Sequence, residues 1–335
     1  MSKRVVLTGV TGFIAKRIAF DLLEAGHSVR GSLRSAGREG EVRDALRPRL
    51  SDPSALDRLS FVELDLARDD GWAQAMDGAD ALFHTASPFP LSQPKDENDI
   101  IRPAVDGTLR AMRAAQATGV SRVVLTSSVV AIEAKDKSGA YTEDDWSDPG
   151  HPKSNAYYKS KTMAERAAWD FVADNPEMQL TTINPALVLG EPMDGHYGTS
   201  LELVERILGG KDPMLPDVGF GVVDVADISA MHIAALHRPE SVGQRFIGSN
   251  GTMTMPRMAQ HLAARHPDRK IATRIAPKPV LRLLSLFDPS IRGILAGVGR
   301  APQFDNSRAR DMLGIQFTAP LAALEKAADA VLAKG

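Results

Sequence analysis

Lys3–Ala15 reads KRVVLTGVTGFIA, and this stretch decides the fold. Lys3 to Thr8 is a short run rich in β-branched residues, as a strand buried on both faces of a parallel sheet requires. Small residues then fall at Gly9, Gly12 and Ala15. Gly9 lets the chain turn sharply. Gly12 lets a diphosphate approach the backbone at a helix N-terminus, where free N–H groups and the helix dipole favour anions. Ala15 lets the helix, which should run to near Gly26, pack close on the strand. A glycine turn alone has low specificity. Between a strand and a helix it predicts a dinucleotide-binding βα unit, the alternative being a tight βα turn that holds no ligand.

Working outward, the pattern repeats. Strands are expected over Ser28–Leu33, Ser60–Leu64, Ala79–His84, Arg122–Thr126 and Leu180–Asn184, the last stopped by Pro185. A crossover helix fits Asp96–Gly119, with Ala104, Leu109, Met112 and Ala115 facing the sheet. The fold class is therefore α/β, a Rossmann-type doubly wound parallel sheet. From Gly190 the texture changes: Gly, Pro and Met become frequent and elements shorten. Residues 1–189 are expected to form the dinucleotide domain, and 220–250 to return to it through a strand at Gly221–Val225, a helix at Asp227–His237 and a short strand at Gln244–Ile247. Residues 190–219 and 251–318 should form a smaller, mainly helical substrate lobe, with 319–335 as a C-terminal helix. Leu281–Ala296 has helical spacing and would either line a substrate pocket or simply pack.

Composition narrows the function. The chain has 335 residues, beyond the usual size of one hydrophobic core, so a second lobe is expected. A formal net charge of -2 gives no reason to expect nucleic acid or an acidic membrane as partner. There is no Cys, which excludes disulfides, thiolate nucleophiles and cysteine metal sites and suits a reducing compartment. The first apolar run is too short and too broken for a signal peptide or membrane span. A cytoplasmic, soluble protein without a metal, monomer or homodimer, is the expectation.

The strand ends carry the candidate ligand contacts. Folds that prefer NAD place an acid at the end of the second strand, on the ribose 2′-hydroxyl. Here Ser32, Leu33 and Arg34 stand there, with Arg38 further on. A guanidinium pairs a 2′-phosphate through bidentate, charge-assisted bonds, which favours NADPH unless both arginines are merely solvated. Asp65-Leu66 after the third strand could hold and sandwich an adenine, or cap a helix. Thr85-Ala86-Ser87 after the fourth leaves room for a ligand outside the sheet. His84 there is expected to be packed rather than a base.

Asn155–Lys161, NAYYKSK, carries the chemistry. Tyr157 and Lys161 are four apart at the start of a strong helix former, so they project on one face. A free phenol has a pKa of about 10, and a nearby cation lowers it. Reaching neutrality takes roughly 4 kcal/mol, which a lysine, a cofactor's positive ring and hydrogen bonds together could supply. Ser127-Ser128 at the end of the fifth strand offers a hydroxyl to polarise a carbonyl beside Tyr157. A surface helix with a chance Tyr and Lys is the alternative for the pair alone.

Together these features resemble the extended short-chain dehydrogenase/reductase family along essentially the whole chain. TGVTGFIA, FHTASP, RPAVDGTL, VVLTSS, NAYYKSK and AERAAW are similar to its branch of dihydroflavonol, cinnamoyl-CoA and methylglyoxal reductases. The resemblance implies Ser128, Tyr157 and Lys161 as catalytic residues, with Ser128 preferred to Ser127. It implies NADPH held by Gly9, Thr11, Gly12, Phe13, Ile14, Arg34, Arg38, Asp65, Leu66, Thr85, Ala86 and Ser87, with Pro185 and Val188 by the nicotinamide and Tyr157 and Lys161 in contact with it. Phe89, Glu133, Met193 and Tyr197 would help shape the pocket of a small-molecule carbonyl substrate. Glu133 stands where plant dihydroflavonol reductases carry asparagine, which argues against a flavonoid. The reaction implied is reversible hydride transfer from NADPH to an aldehyde or ketone, Tyr157 giving the proton. Two rivals remain: an NAD-retaining sugar-nucleotide epimerase or dehydratase of the same fold, against which Arg34 counts, and a non-catalytic NADP-binding sensor, against which the Tyr–Lys pair counts.

Overall fold

The structure, a computed structural model, describes residues 2–88, 96–287, 291 and 294–334. Strand β1 (Arg4–Thr8) is an interior strand, third from one edge, of a seven-stranded sheet. The others are β2 (Ser28–Leu33), β3 (Leu59–Glu63), β4 (Ala81–His84), β5 (Arg122–Thr126), β6 (Gln179–Pro185) and, after β7 (Leu187–Leu189) and β8 (Gly219–Asp224), β9 (Arg245–Gly248). Their order is β3-β2-β1-β4-β5-β6-β9, and every pairing is parallel.

Side chains alternate between the two faces, as the pleat demands. Val5, Leu7, Phe83, Val124 and Ile183 pack with helix α1 (Phe13–Glu24) and with the helix at Val225–His237. Val6, Leu82, Val123, Leu125 and Leu180 pack on the opposite face, under the helices at Asn98–Ala117 and Ala156–Asp174. Both faces are covered, so the strands read as near-continuous apolar runs. The strand order reverses between β1 and β4, and ligands bind such sheets at the crevice outside that point.

The strand expected at Gly221–Val225 forms as β8 but leaves the large sheet. It pairs with β7 and with β10 (Thr252–Thr254) in a separate three-stranded sheet, and β9 becomes the seventh strand of the large one. The reason is local: β7 follows β6 after one residue, so its partner is carried away from the main sheet with it. This small sheet packs with helices at Gly198–Gly209, Met255–Arg265 and Pro320–Lys334 around a second core that includes Leu201, Val204, Met258, Leu262, Ala327 and Val331. The single helix expected at Leu281–Ala296 is not formed: a short helix spans Lys278–Leu284 and is capped at Ser285, and Leu295–Gly297 make a separate 3-10 turn. No helix among the described residues is long and apolar enough to cross a membrane.

Candidate active site

The glycine turn sits at the sheet's switch point. Gly9 has φ +66, and a Cβ there would lie 3.1 Å from the Cβ of Ala86, so the turns after β1 and β4 touch backbone to backbone. Thr8 locks them: its Oγ1 accepts from the N–H groups of Thr85 and Ala86, 3.0 Å each. The N–H of Gly9 donates to Ser32 Oγ at 2.9 Å, fixing the turn to β2. Helix α1 starts after Gly12 with no side-chain cap, which leaves first-turn N–H groups for an anion.

A cavity of ≈ 550 Å³ runs from this turn past Thr11, Arg34, Arg38, Asp65, Leu66 and Ser87. The end of β2 brings Ser32, Leu33 and Arg34 to it and no carboxylate. The two arginines differ. Arg38 is bonded to Glu41 at 2.7 Å, whereas Arg34 is exposed and has no carboxylate within ion-pair distance among the described residues. This donor set suits a phosphorylated dinucleotide: backbone N–H groups for the diphosphate and a guanidinium at the ribose.

A second cavity, ≈ 440 Å³, continues from Gly9 and Gly12 along Phe13, Ile14 and Thr85 to Ser128, Tyr157, Lys161, Pro185 and Val188. The helix Ala156–Asp174 is started by Asn155, whose Oδ1 accepts from Tyr157 N at 3.0 Å and Tyr158 N at 3.1 Å. This cap places Tyr157 in the first turn and Lys161 one turn later on the same face. The Ser128 hydroxyl donates to Pro185 O at 3.4 Å and lies near enough to the Tyr157 phenol to act on its acidity. Ser127 points away, its hydroxyl donating to Glu165.

Burial pushes the Tyr157 phenol up to about 12, with the Ser128 hydroxyl acting in the opposite sense. The expected lowering by Lys161 is not found: burial raises the phenol, and only the Ser128 hydroxyl acts against it. Tyr157 is therefore a protonated acid. Burial also pushes Lys161 down to about 8, and Glu165, one turn further along, acts to raise it. His84 is packed, as expected: its Nδ1 lies 3.0 Å from Thr8 Oγ1, and burial lowers it to about 3.

A third cavity, ≈ 380 Å³, opens on the other side of Ser128 and Tyr157. Its walls are apolar, with Val130, Leu203, Phe220, Ile294 and Phe304 among them. Glu133 is there, accepting a 2.8 Å bond from the Tyr158 hydroxyl, and burial raises its carboxyl. Two other pocket expectations need correction. Met193 is packed into the main core, 7% exposed, and lines none of these cavities. Tyr197 lines the second cavity, not the third, with its hydroxyl bonded to Glu205 at 3.0 Å. Phe89 lies outside the described residues.

Sequence reasoning missed the support under the site. Glu165, 1% exposed, accepts from Ser127, from Asn184 at 2.7 Å and from the Arg245 guanidinium at 2.7 Å. Arg245 in turn stacks on Trp146, 3.7 Å from its ring centre. The signal was present: residues 157, 161 and 165 share one helical face. Among the described residues one acidic cluster has metal-like spacing, Glu41, Asp194 and His196. The Lys16 ammonium sits between its carboxylates, 2.6 Å from Glu41 and also bonded to Asp194. A cation would have to displace it.

Comparison with known proteins agrees with this geometry. A family model, "NAD dependent epimerase/dehydratase family", matches residues 5–247. The chain belongs to that family, the extended short-chain dehydrogenases/reductases. A ketoreductase of Aspergillus niger, azaE, is 35% identical, covering 95% of this chain and 94% of its own. A dihydroflavonol 4-reductase of Hordeum vulgare is 30% identical over 81% of this chain and 77% of its own. The crystal structure of yeast methylglyoxal/isovaleraldehyde reductase Gre2 complexed with NADPH superposes with a TM-score of 0.81, at 27% identity, covering 99% of this chain and 98% of that one. Within the family, then, the similar proteins named here are reductases.

Proposed function

We propose that the chain is an NADPH-dependent reductase that converts the carbonyl of an aldehyde or ketone to an alcohol. The observation that carries this reading is the place of Tyr157: a protonated phenol beside the Ser128 hydroxyl, where the cleft that starts at the glycine turn meets an apolar cavity. The reductase relatives and the NADPH-bound yeast structure support it.

When bound, NADPH supplies the hydride. Ser128 donates to the carbonyl oxygen and holds it at the Tyr157 hydroxyl. Tyr157 gives its proton as negative charge develops on that oxygen, leaving a neutral alcohol. The Lys161 ammonium faces the same cavity and has no carboxylate within ion-pair distance among the described residues, so it stabilises the phenolate left behind and offers donors to the cofactor's ribose. Arg34 receives the 2′-phosphate, Gly9 and Gly12 leave room for the diphosphate, and Asp65 and Leu66 border the adenine. Arg38, held by Glu41, has a lesser part.

The missing acid at the end of β2 favours this reading over an NAD-retaining epimerase. The test is NADPH oxidation with a panel of aldehydes and ketones, with products identified. Equimolar alcohol is expected. Epimerisation of a sugar nucleotide with no net NADPH oxidation would refute the proposal, and so would binding of NADPH with no turnover of any carbonyl.

A further inference from the structure

The apolar cavity beside Tyr157 does not end in solvent alone. It meets an outer cavity of ≈ 660 Å³ lined by Lys135, Asp136, Lys137, Lys153 and Arg300. The two cavities share Lys153, Arg300 and Pro302. The path from the reacting end is therefore apolar first and cationic at its rim.

The four cations are not equivalent. Lys135 and Lys137 are both bonded to Asp145, at 2.9 Å for Lys135, and that carboxyl is held down at about 2 by them and by backbone bonds. Asp136 faces His151 at 3.4 Å. Lys153 and Arg300 have no carboxylate within ion-pair distance among the described residues. Glu133, deeper in, is bonded to Tyr158, and its charge acts on Lys153 only at longer range. Lys153 is half-buried: burial disfavours its charge most, Glu133 favours it, Arg300 opposes it less strongly than Glu133 supports it, and Asp136 at the rim favours it slightly. Burial and the neighbouring Arg300 both disfavour the Lys153 charge, and an anion received between the two side chains would recover that free energy.

Resting on the reductase reading above, we infer that the natural substrate is a carbonyl compound with an apolar body and an anionic group, a carboxylate, at its far end, received by Lys153 and Arg300. The carbonyl lies at Ser128 and Tyr157, and the body fills the space between Leu203, Phe220 and Phe304. Lys153 and Arg300 are specificity residues: they orient the molecule by its far end and take no part in the chemistry.

The experiment compares 4-formylbenzoate and the longer 4-formylcinnamate, each with its methyl ester, in the intact enzyme with NADPH. For at least one length, kcat/KM for the carboxylate is expected to exceed that for the ester by about tenfold at low salt. The ratio should shrink as salt rises, since the rim is exposed. In the Lys153→Met/Arg300→Met double variant it should fall to about one, and ester turnover by that variant reports that it is folded. Equal or better use of the ester at both lengths, or a ratio that survives the double variant, overturns the inference. If the variant does not fold, the parent's ratio and its salt dependence decide alone. Calorimetric titration with 4-(hydroxymethyl)benzoate and its methyl ester reads the same preference without turnover. Preferential carboxylate binding with no NADPH oxidation would contradict the reductase reading and leave the cationic, anion-receiving rim standing. Ester turnover with no preference would do the reverse.

Discussion

The cofactor half and the substrate half of the cleft are built differently. The cofactor half is made largely of backbone turns at adjacent strand ends: the loop after β1, locked by Thr8 to the loop after β4, and the first turn of the helix Ala156–Asp174. The substrate half is assembled from side chains of four distant stretches, around residues 128–158, 186–187, 199–221 and 294–304. A half made of backbone has little freedom to vary, and a half made of side chains can change its ligand while the fold stays. Substitutions in the first should therefore affect every substrate alike. Substitutions in the second should change which substrate is preferred.

The sharpest break is expected at Gly12. A Cβ there would lie 3.2 Å from Gly9 O, a contact that a small shift relieves, but it would occupy the space of the diphosphate. Gly12→Val should abolish NADPH binding by calorimetry while the circular dichroism spectrum and melting remain near those of the parent. Unchanged affinity would mean that the turn is only structural. Next is Tyr157→Phe, expected to lower kcat at least about a hundredfold for every substrate with NADPH affinity nearly unchanged. Tyr158→Phe breaks the bond to Glu133 and should leave the chemical step close to normal. A dead Tyr158→Phe with a healthy Tyr157→Phe would overturn the assignment.

Smaller effects separate the halves more finely. Phe304→Ala should reorder preferences among carbonyl substrates by roughly tenfold while leaving the Kd for NADPH alone, since apolar pocket contacts are worth about 1–3 kcal/mol. A uniform loss across the panel would place Phe304 in the common machinery. The parent should favour NADPH over NADH by about tenfold in kcat/KM, and Arg34→Asp should reverse this, because a charge-assisted contact is worth about 1.5–3 kcal/mol. Equal use of both cofactors by the parent would contradict it.

The mildest expected effect is a slope. His84 and His232 are buried against strand ends of the large sheet, and desolvation pushes them down to about 3 and about 4. An unfolded histidine takes its proton near 6.5. As pH falls below that value the unfolded chain binds protons that the folded chain refuses, so stability falls, and it does so until the folded groups titrate. The slope approaches about 1.4 kcal/mol per pH unit for each histidine. Urea midpoints of the parent and of His232→Gln taken from pH 7 to 4.5 check it: the slope should be smaller in the variant, and the same slope in both would mean that this histidine is solvated.

The same contrast explains what was legible in the sequence. The large sheet, the Gly9–Ala15 turn and the Tyr157–Lys161 spacing could be read because each is a local pattern: β-branched runs, small residues at fixed offsets, a four-residue helical repeat. Glu165 extends that repeat and was readable on the same ground. Its partner Arg245, eighty residues on, was not, because only tertiary structure brings them together. The side sheet of β7, β8 and β10 was missed for a related reason: a strand's sequence does not say which sheet it joins. Met193 lies in a stretch whose changed texture suggests a substrate lobe, yet its side chain packs into the main core. The cavity residues Phe220, Ile294 and Phe304 carry no pattern that separates a pocket wall from a core.

The account rests on one event, transfer of a hydride to a carbonyl carbon with Tyr157 giving the proton. Reduction of an aldehyde of the preferred series with C4-deuterated NADPH, followed by mass spectrometry of the product, tests it most directly. One deuterium on the carbinol carbon per NADPH oxidised, from one of the two C4 faces, is expected, with the same labelling at a rate at least about a hundredfold lower in Tyr157→Phe. NADPH oxidation that leaves no deuterium on carbon, or equal rates in the parent and Tyr157→Phe, would contradict it.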